Sequence, residues 1–126
     1  MKQIIHTVDA PAPIGPYSQA VRMGNTVYTS GQIAIDPKTG QLVSGSIAEE
    51  THQVMRNMKA VLEAAGLEFG QVLKSTIFIT NMDDFGTINE VYASYFEADT
   101  APARETVQVA RLPKDVRVEI SMIAAD

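Results

Sequence analysis

The chain contains no cysteine and no tryptophan, and aromatic residues make up only 6% of its 126 residues. Without cysteine it can form no disulfide, no thiolate nucleophile and no thiolate metal site. Basic side chains are also few, ten against fifteen acidic ones, and they are not clustered in a patch that would bind a polyanion. Any catalytic chemistry must therefore come from Arg, Glu, Tyr, Ser, Thr, Asn or His.

Long apolar runs are missing as well. No stretch reaches the roughly 20 apolar residues of a membrane-spanning helix, and residues 1–6 do not begin a signal peptide. We therefore expect a cytoplasmic protein. The hydrophobic content of 45% and the charged content of 20% are those of an ordinary globular protein. The length predicts a single domain over residues 1–126.

The sequence shows no pattern for binding a metal or a cofactor. His6 and His52 are the only histidines, and neither belongs to a metal-binding spacing. The pair Asp83 and Asp84 is more simply interpreted as the start of a helix than as a metal site. We therefore expect chemistry without a metal or a cofactor.

The first part of the chain predicts a loop followed by a hairpin. Residues 10–16 contain three prolines, too many for a helix or a central strand. Residues 17–23 and 26–30 are typical of strands, and Gly24 and Asn25 between them suit the positive φ angles of a tight turn.

Two helices follow from capping and periodicity. Ser46 and Glu49 form a capping box, apolar residues then recur at helical spacing, and Gly66 ends the pattern. A second helix is predicted after Asp83 and Asp84, whose side chains offer N-cap oxygens.

The remaining segments predict three more strands. Residues 72–80 include the unalternating apolar run 77–79, which is typical of a strand covered on both faces, and residues 104–109 and 116–124 alternate apolar with polar side chains. The predicted order is three strands, helix, strand, helix, two strands, and of the first three strands the pattern places only those at residues 17–23 and 26–30. This order indicates an α+β fold, with two helices on one face of a mixed sheet of about six strands. Because two helices cover only one face, we also expect a homo-oligomer.

The last two strands carry the most informative polar residues. If they pair as a hairpin around residues 110–115, with their apolar faces matched, the opposite face brings together Arg104, Thr106, Glu119 and Ser121. Arg104 and Glu119 would then be direct or diagonal neighbours. The alternative is that this face is simply solvated and the two residues form a surface ion pair of little energy.

Several motifs resemble those of the RidA (YjgF) family in order and spacing, and together they extend over most of the chain. The segments that carry the resemblance are residues 12–19, 29–33, 84–92, 102–104, 109–115 and 118–120. Several motifs that match in order are far more specific than any one of them.

The resemblance implies a homotrimer of the chorismate-mutase-like α+β fold with active sites between subunits. It also implies hydrolysis of reactive 2-imino acids and their enamine tautomers, such as 2-iminobutanoate and 2-iminopropanoate, to 2-keto acids and ammonia. No metal or cofactor is implied. Neither nucleic acid nor membrane is expected as a partner.

By the same resemblance, Arg104 would hold the substrate carboxylate, for which a planar guanidinium is well suited. Glu119 would orient or deprotonate the attacking water, or handle the proton of the imine nitrogen. Tyr17 would line the pocket from one side of the interface. Further polar or backbone contacts are assigned to Ser30, Gly31 and Asn89.

Two residues depart from the family pattern, which often has a small residue and then a cysteine after the arginine. This chain has Glu105 and Thr106 instead. In a regular strand Glu105 points away from Arg104, whereas Thr106 lies on the same side and could contact substrate through its hydroxyl. Chemistry that depends on a thiol is excluded.

Two other functions remain open. A non-catalytic trimer could use Arg104 to bind keto acids or related carboxylates, and Thr106 is compatible with that role. An endoribonuclease or translation-inhibiting activity has been attached to some members of the family. The acidic charge balance of this chain disfavours that second activity.

Overall fold

The computed structural model describes residues 1–126 and contains six β-strands and two α-helices in the predicted order. In chain order these are β1 (Gln3–Ile5), β2 (Ala20–Met23), β3 (Thr26–Thr29), α1 (Ile47–Ala64), β4 (Val72–Ile79), α2 (Phe85–Ala93), β5 (Ala103–Gln108) and β6 (Val118–Ala125). Neither helix has the length and apolar character needed to cross a membrane. The predicted α+β fold is confirmed.

All six strands belong to one mixed sheet in the order β1-β2-β3-β6-β4-β5. Neighbouring strands are antiparallel except β4 and β5, which are parallel. The β2–β3 hairpin turns at Gly24, whose φ of 62° is readily adopted only by glycine. Strand β2 is shorter than predicted, because residues 17–19 belong to the preceding loop.

The predicted hairpin between the last two strands is wrong. Strand β4 lies between β5 and β6, so the connection from β5 to β6 passes over the end of β4. It is anchored there by the buried Leu112 and by a hydrogen bond from the Thr80 amide to the Arg117 carbonyl. Alternation of side chains identifies the faces of a strand, but it does not identify the neighbouring strand.

One face of the sheet packs on both helices and holds the core. Buried side chains of α1 meet those of β4 and β6, and the largest fully buried ones are Val54, Met55, Met58, Val61, Leu62, Ile77, Ile79, Val118 and Ile120. The other face has no helix on it and leaves Ile4, Tyr28 and Val107 exposed at 54%, 48% and 43%. We call this helix-free surface the open face.

The apolar run in β4 is covered on one side only. Ile77 and Ile79 are buried under the helices, whereas Phe78 points to the open face and remains partly exposed. Cover on both faces, as the run predicted, is therefore not supplied within a single chain.

Helix α1 starts and stops where the sequence predicts. The Ser46 hydroxyl accepts a hydrogen bond from the Glu49 amide at 3.1 Å, and Gly66 follows the helix with a φ of 76°. The predicted cap of α2 is wrong in detail. A short 3-10 turn precedes that helix, Asp84 makes no capping bond, and Asn81 caps the turn by accepting from the Asp83 amide.

An ion pair with a buried carboxylate connects α1 to the start of β6. Glu50 is 3% exposed, and its carboxylate accepts hydrogen bonds from the Arg117 amide at 2.8 Å and from Arg117 Nε at 2.7 Å. Arg117 also donates to the Gly45 carbonyl. Because a buried carboxylate without a partner is costly, this pairing holds β6 in register against the helix.

Candidate functional site

Arg104 lies on β5 with its side chain against α2, on the helix-covered face of the sheet. Its Nη1 donates to Asn89 Oδ1 at 2.5 Å. Its Cζ lies 5.2 Å from the centre of the Tyr92 ring and 5.7 Å from that of Phe85, within the range of cation–π attraction. The guanidinium remains exposed and has further donors free, so it can bind an anion.

Glu119 lies on β6 and lines a pocket of about 400 Å³ on the open face of the sheet. Tyr17, Ser30, Gly31 and Pro113 also line this pocket. Burial raises the pKa of the Glu119 carboxyl above its usual value, and no cation pairs with it within the chain. A carboxyl in such surroundings takes up a proton more readily than an exposed glutamate does.

Gly31 permits the close approach of Glu119. A Cβ atom at this position would lie 2.7 Å from the Glu119 carboxyl carbon, nearer than real contacts allow. The next residue, Gln32, exchanges backbone hydrogen bonds with Ile120 at 2.8 and 3.1 Å. Gly31 is therefore held directly beside Glu119.

Ser30 and Tyr17 occupy the loop side of the pocket. The Ser30 hydroxyl donates to the Ser18 carbonyl at 2.6 Å, so it fastens the loop and keeps only lone pairs for a ligand. Tyr17 is 50% exposed, and its hydroxyl accepts a weak hydrogen bond from the Ile14 amide at 3.4 Å. Its phenol is therefore available to a molecule that enters the pocket.

Gln19 is a residue of this site that the sequence analysis missed. It is 1% exposed, its amide nitrogen donates to the carbonyls of Thr7, Ala10 and Pro11, and its amide oxygen accepts from the Thr7 amide. Gln19 therefore fixes the proline-rich loop that forms one wall of the pocket. A single glutamine next to a proline-rich segment is the only signal in the sequence, and it is too common to identify this role.

The predicted meeting of Arg104, Thr106, Glu119 and Ser121 on one face is wrong. Ile77 lies opposite both Thr106 and Ile120, so Thr106 shares a face with Ile120 and not with its neighbour Glu119. The intervening strand β4 sets this parity. Arg104 and Thr106 belong to the helix-covered face, whereas Glu119 and Ser121 belong to the open face.

The two departures from the family pattern occupy opposite sides of β5. Glu105 points to the open face, as predicted, and pairs there with Lys74 at 3.2 Å and with the Thr76 hydroxyl at 3.3 Å. Thr106 lies on the Arg104 side, and its hydroxyl is shielded from solvent without a hydrogen-bond partner in the chain. Such a group is costly, and because its oxygen is covered within the chain, a ligand reaches it only if the Thr106 side chain turns.

The predicted site residues therefore form two separate groups. The Arg104 half-site consists of Arg104, Asn89 and Thr106. The Glu119 half-site consists of Glu119, Tyr17, Ser30 and Gly31. The first presents unpaired guanidinium donors, and the second presents a carboxyl with a raised pKa beside a partly apolar pocket. No group of three or more His, Asp or Glu side chains comes together in a way that could hold a metal ion.

This sheet and these half-sites define a small α+β protein of the RidA (YjgF) class. The model of the family described as Endoribonuclease L-PSP matches residues 7–126. The chain belongs to this family.

Relatives match over nearly the whole chain. Human 2-iminobutanoate/2-iminopropanoate deaminase is 49% identical, and the match covers 98% of this chain and 90% of the human protein. The crystal structure of RidA from an Antarctic Psychrobacter has a TM-score of 0.94 and 45% identity, over 98% of this chain and 99% of the other. Escherichia coli TdcF with bound serine has a TM-score of 0.92 and 48% identity, over 98% of each chain.

Substitution of Gly31 tests the contact with Glu119. In Gly31→Ala the new methyl group is expected to push the flexible Glu119 carboxyl aside, with little loss of stability. A crystal structure of the variant measures this displacement. Gly15→Ala is the control, because a Cβ there would meet Tyr17 at an ordinary 3.6 Å. An unmoved Glu119 in Gly31→Ala would contradict the close contact.

Proposed function

We propose that this protein hydrolyses 2-imino acids, including 2-iminobutanoate and 2-iminopropanoate, to 2-keto acids and ammonia. The reaction takes place where the Arg104 half-site of one copy meets the Glu119 half-site of another in a homotrimer. The observation that carries this proposal is the placement of Arg104 and Glu119 on opposite faces of one sheet. The name of the human relative supports the choice of substrate.

The chemistry requires few groups. Arg104 binds the carboxylate of the substrate through paired N–H donors. A water molecule adds to C2 of the protonated imine, and Glu119 as a carboxylate takes a proton from this water. Glu119 returns this proton to the nitrogen of the resulting carbinolamine, and the C–N bond breaks to release ammonia. The hydroxyl proton passes back to Glu119 or to the ammonia as the carbonyl of the 2-keto acid forms. Fixing the carboxylate and the water removes mainly an entropic cost.

Two features of the single chain support assembly. The open face leaves apolar side chains such as Tyr28 and Val107 exposed. Glu119 lies in its pocket without a cation in the chain. A second copy that brings its Arg104 half-site to the Glu119 pocket would cover apolar surface and would place a cation near the carboxyl. Asn89 would then lie on the Arg104 side of the substrate and Tyr17 on the other side, whereas Thr106 would reach the substrate only if its side chain turned.

Binding without catalysis is the second candidate. The related TdcF structure contains serine, which has a carboxylate but no imine. The same Arg104 half-site could therefore sense carboxylates. Release of keto acid separates the two functions, because a sensor accelerates no reaction.

The decisive experiment measures keto acid formation from 2-iminobutanoate, generated in place from threonine by a dehydratase. The wild-type protein is expected to increase the rate. Arg104→Ala should lower this gain by about a hundredfold or more, because the substrate is no longer fixed. Arg56→Ala, which removes an exposed arginine from α1, is the matched control. Equal rates with and without wild-type protein would contradict the proposed function.

Mixed oligomers test whether the site is shared between copies. Arg104→Ala and Glu119→Gln chains are each expected to be inactive alone. In co-refolded 1:1 mixtures, about one quarter of the interfaces of a cyclic oligomer combine an intact Arg104 with an intact Glu119. Keto acid formation should therefore return to about a quarter of the wild-type rate, and the native mass should be that of three chains. No recovery in verified mixed trimers would contradict a shared site.

The pH dependence tests the protonation state of Glu119. Burial raises the pKa of this carboxyl above its usual value, so it takes up a proton at a higher pH than an ordinary glutamate. If the carboxylate form activates water, kcat/KM falls as the pH falls through this raised pKa. The enzyme-dependent rate between pH 5 and 9 measures the effect, and Glu105→Gln should leave the profile unchanged. A rate that instead rises as the pH falls would contradict the role as a base.

A further inference from the structure

The tyrosine beneath Arg104 has no place in the chemistry described so far. We propose that Tyr92 is a positioning residue for Arg104: its ring supports the guanidinium, and its hydroxyl, anchored on the buried Ser75, holds the ring in place. This inference rests on the proposed role of Arg104 as the carboxylate anchor. It adds the group that determines how the guanidinium is presented.

The anchor of the ring lies deep in the sheet. The Tyr92 hydroxyl donates to Ser75 Oγ at 2.9 Å, Tyr92 is 4% exposed and Ser75 is fully buried. Ser75 is the residue of β4 that lies directly opposite Arg104 in the parallel pair with β5. The hydrogen bond therefore connects the ring to the same position of the sheet from which Arg104 projects.

The rest of α2 completes the support. Phe85, Asn89 and Tyr92 lie on one face of the helix. Asn89 accepts a hydrogen bond from the Arg104 guanidinium, and the rings of Phe85 and Tyr92 lie 5.7 and 5.2 Å from its Cζ. Phe96 also packs on Tyr92, with ring centres 4.7 Å apart. The Tyr92 ring is thus held by a neighbouring ring and by its hydroxyl.

This arrangement restricts an otherwise flexible side chain. Two aromatic rings lie against the guanidinium and Nη1 donates to Asn89, while the other donors have no partner in the chain. An arginine already held in its binding geometry loses less freedom when a carboxylate arrives. The effect should appear as carboxylate affinity, not as general binding strength.

The test compares two stable ligands, 2-oxobutanoate and its uncharged amide 2-oxobutanamide, by calorimetry on the native assembled protein. Tyr92→Leu removes the ring and should weaken binding of the carboxylate about tenfold, the size of a cation–π contact, while amide binding changes less than about twofold. Tyr92→Phe keeps the ring but loses the anchor on Ser75. A loss of about twofold to threefold is expected there, and the same for Ser75→Ala.

Tyr95→Leu is the matched control. Tyr95 belongs to the same aromatic cluster, and its hydroxyl bonds to His52 Nδ1 at 2.8 Å, but it does not contact Arg104. This variant should keep the wild-type preference for the acid over the amide.

Each outcome decides between the proposals. A preference in Tyr92→Leu equal to that in Tyr95→Leu would overturn the positioning role. If Tyr92→Leu does not fold, an unchanged preference in both Tyr92→Phe and Ser75→Ala would overturn it. Arg104→Ala separates the two inferences: if it abolishes the preference and the Tyr92 variants do not, only the positioning role fails. If Arg104→Ala retains the preference, the carboxylate-anchor role fails, and the positioning role with it.

Discussion

The pairing of β4 with two different partners determines where the chemistry lies. Ile77 faces Thr106 on the parallel side and Ile120 on the antiparallel side, so these three residues share the helix-covered face. Alternation then requires Arg104 to lie on that face and Glu119 on the open one. A shift of one residue in either pairing would exchange the faces of a whole strand and expose buried side chains. The separation of the two half-sites is therefore as secure as the core itself.

Local features of the fold could be predicted because they depend on residues close in sequence. The start of α1 needs only the Ser46 hydroxyl near the Glu49 amide, and the turn at Gly24 needs only a positive φ. The neighbours of β5 depend instead on how the chain crosses the sheet after α2. A hairpin of β5 with β6 satisfied the alternation of both strands equally well. The polar pattern therefore predicted which side chains share a face within each strand, but not which strand lies beside it. The role of Gln19 could not be predicted for a related reason. Its hydrogen bonds join it to carbonyls of a loop, and the loop sequence has no periodicity that would indicate them.

Two polar groups at the half-sites lack a partner within the chain. The Thr106 hydroxyl is covered by its own chain without a hydrogen bond, and Glu119 has a half-buried carboxyl without a cation. The buried carboxylate of Glu50, by contrast, is paired with Arg117. Departures from complete pairing are expected where a sequence serves function more than stability. Of the two groups only Glu119 lines an open pocket, so its carboxyl is the one that supports a site shared by two copies.

Each half-site is supported from behind by fixed residues of the fold, which is why few polar groups would be enough for the proposed hydrolysis. Gln32 holds Gly31 and thus the Glu119 pocket through backbone bonds to β6, and the anchored Tyr92 ring lies beneath Arg104. Neither support uses the substrate, so both are in place before it binds. An imine that is already electrophilic requires orientation more than activation, and orientation depends on how little the binding groups move. The sheet and α2 supply that rigidity within each chain, and the proposed assembly would only have to bring two rigid surfaces into register.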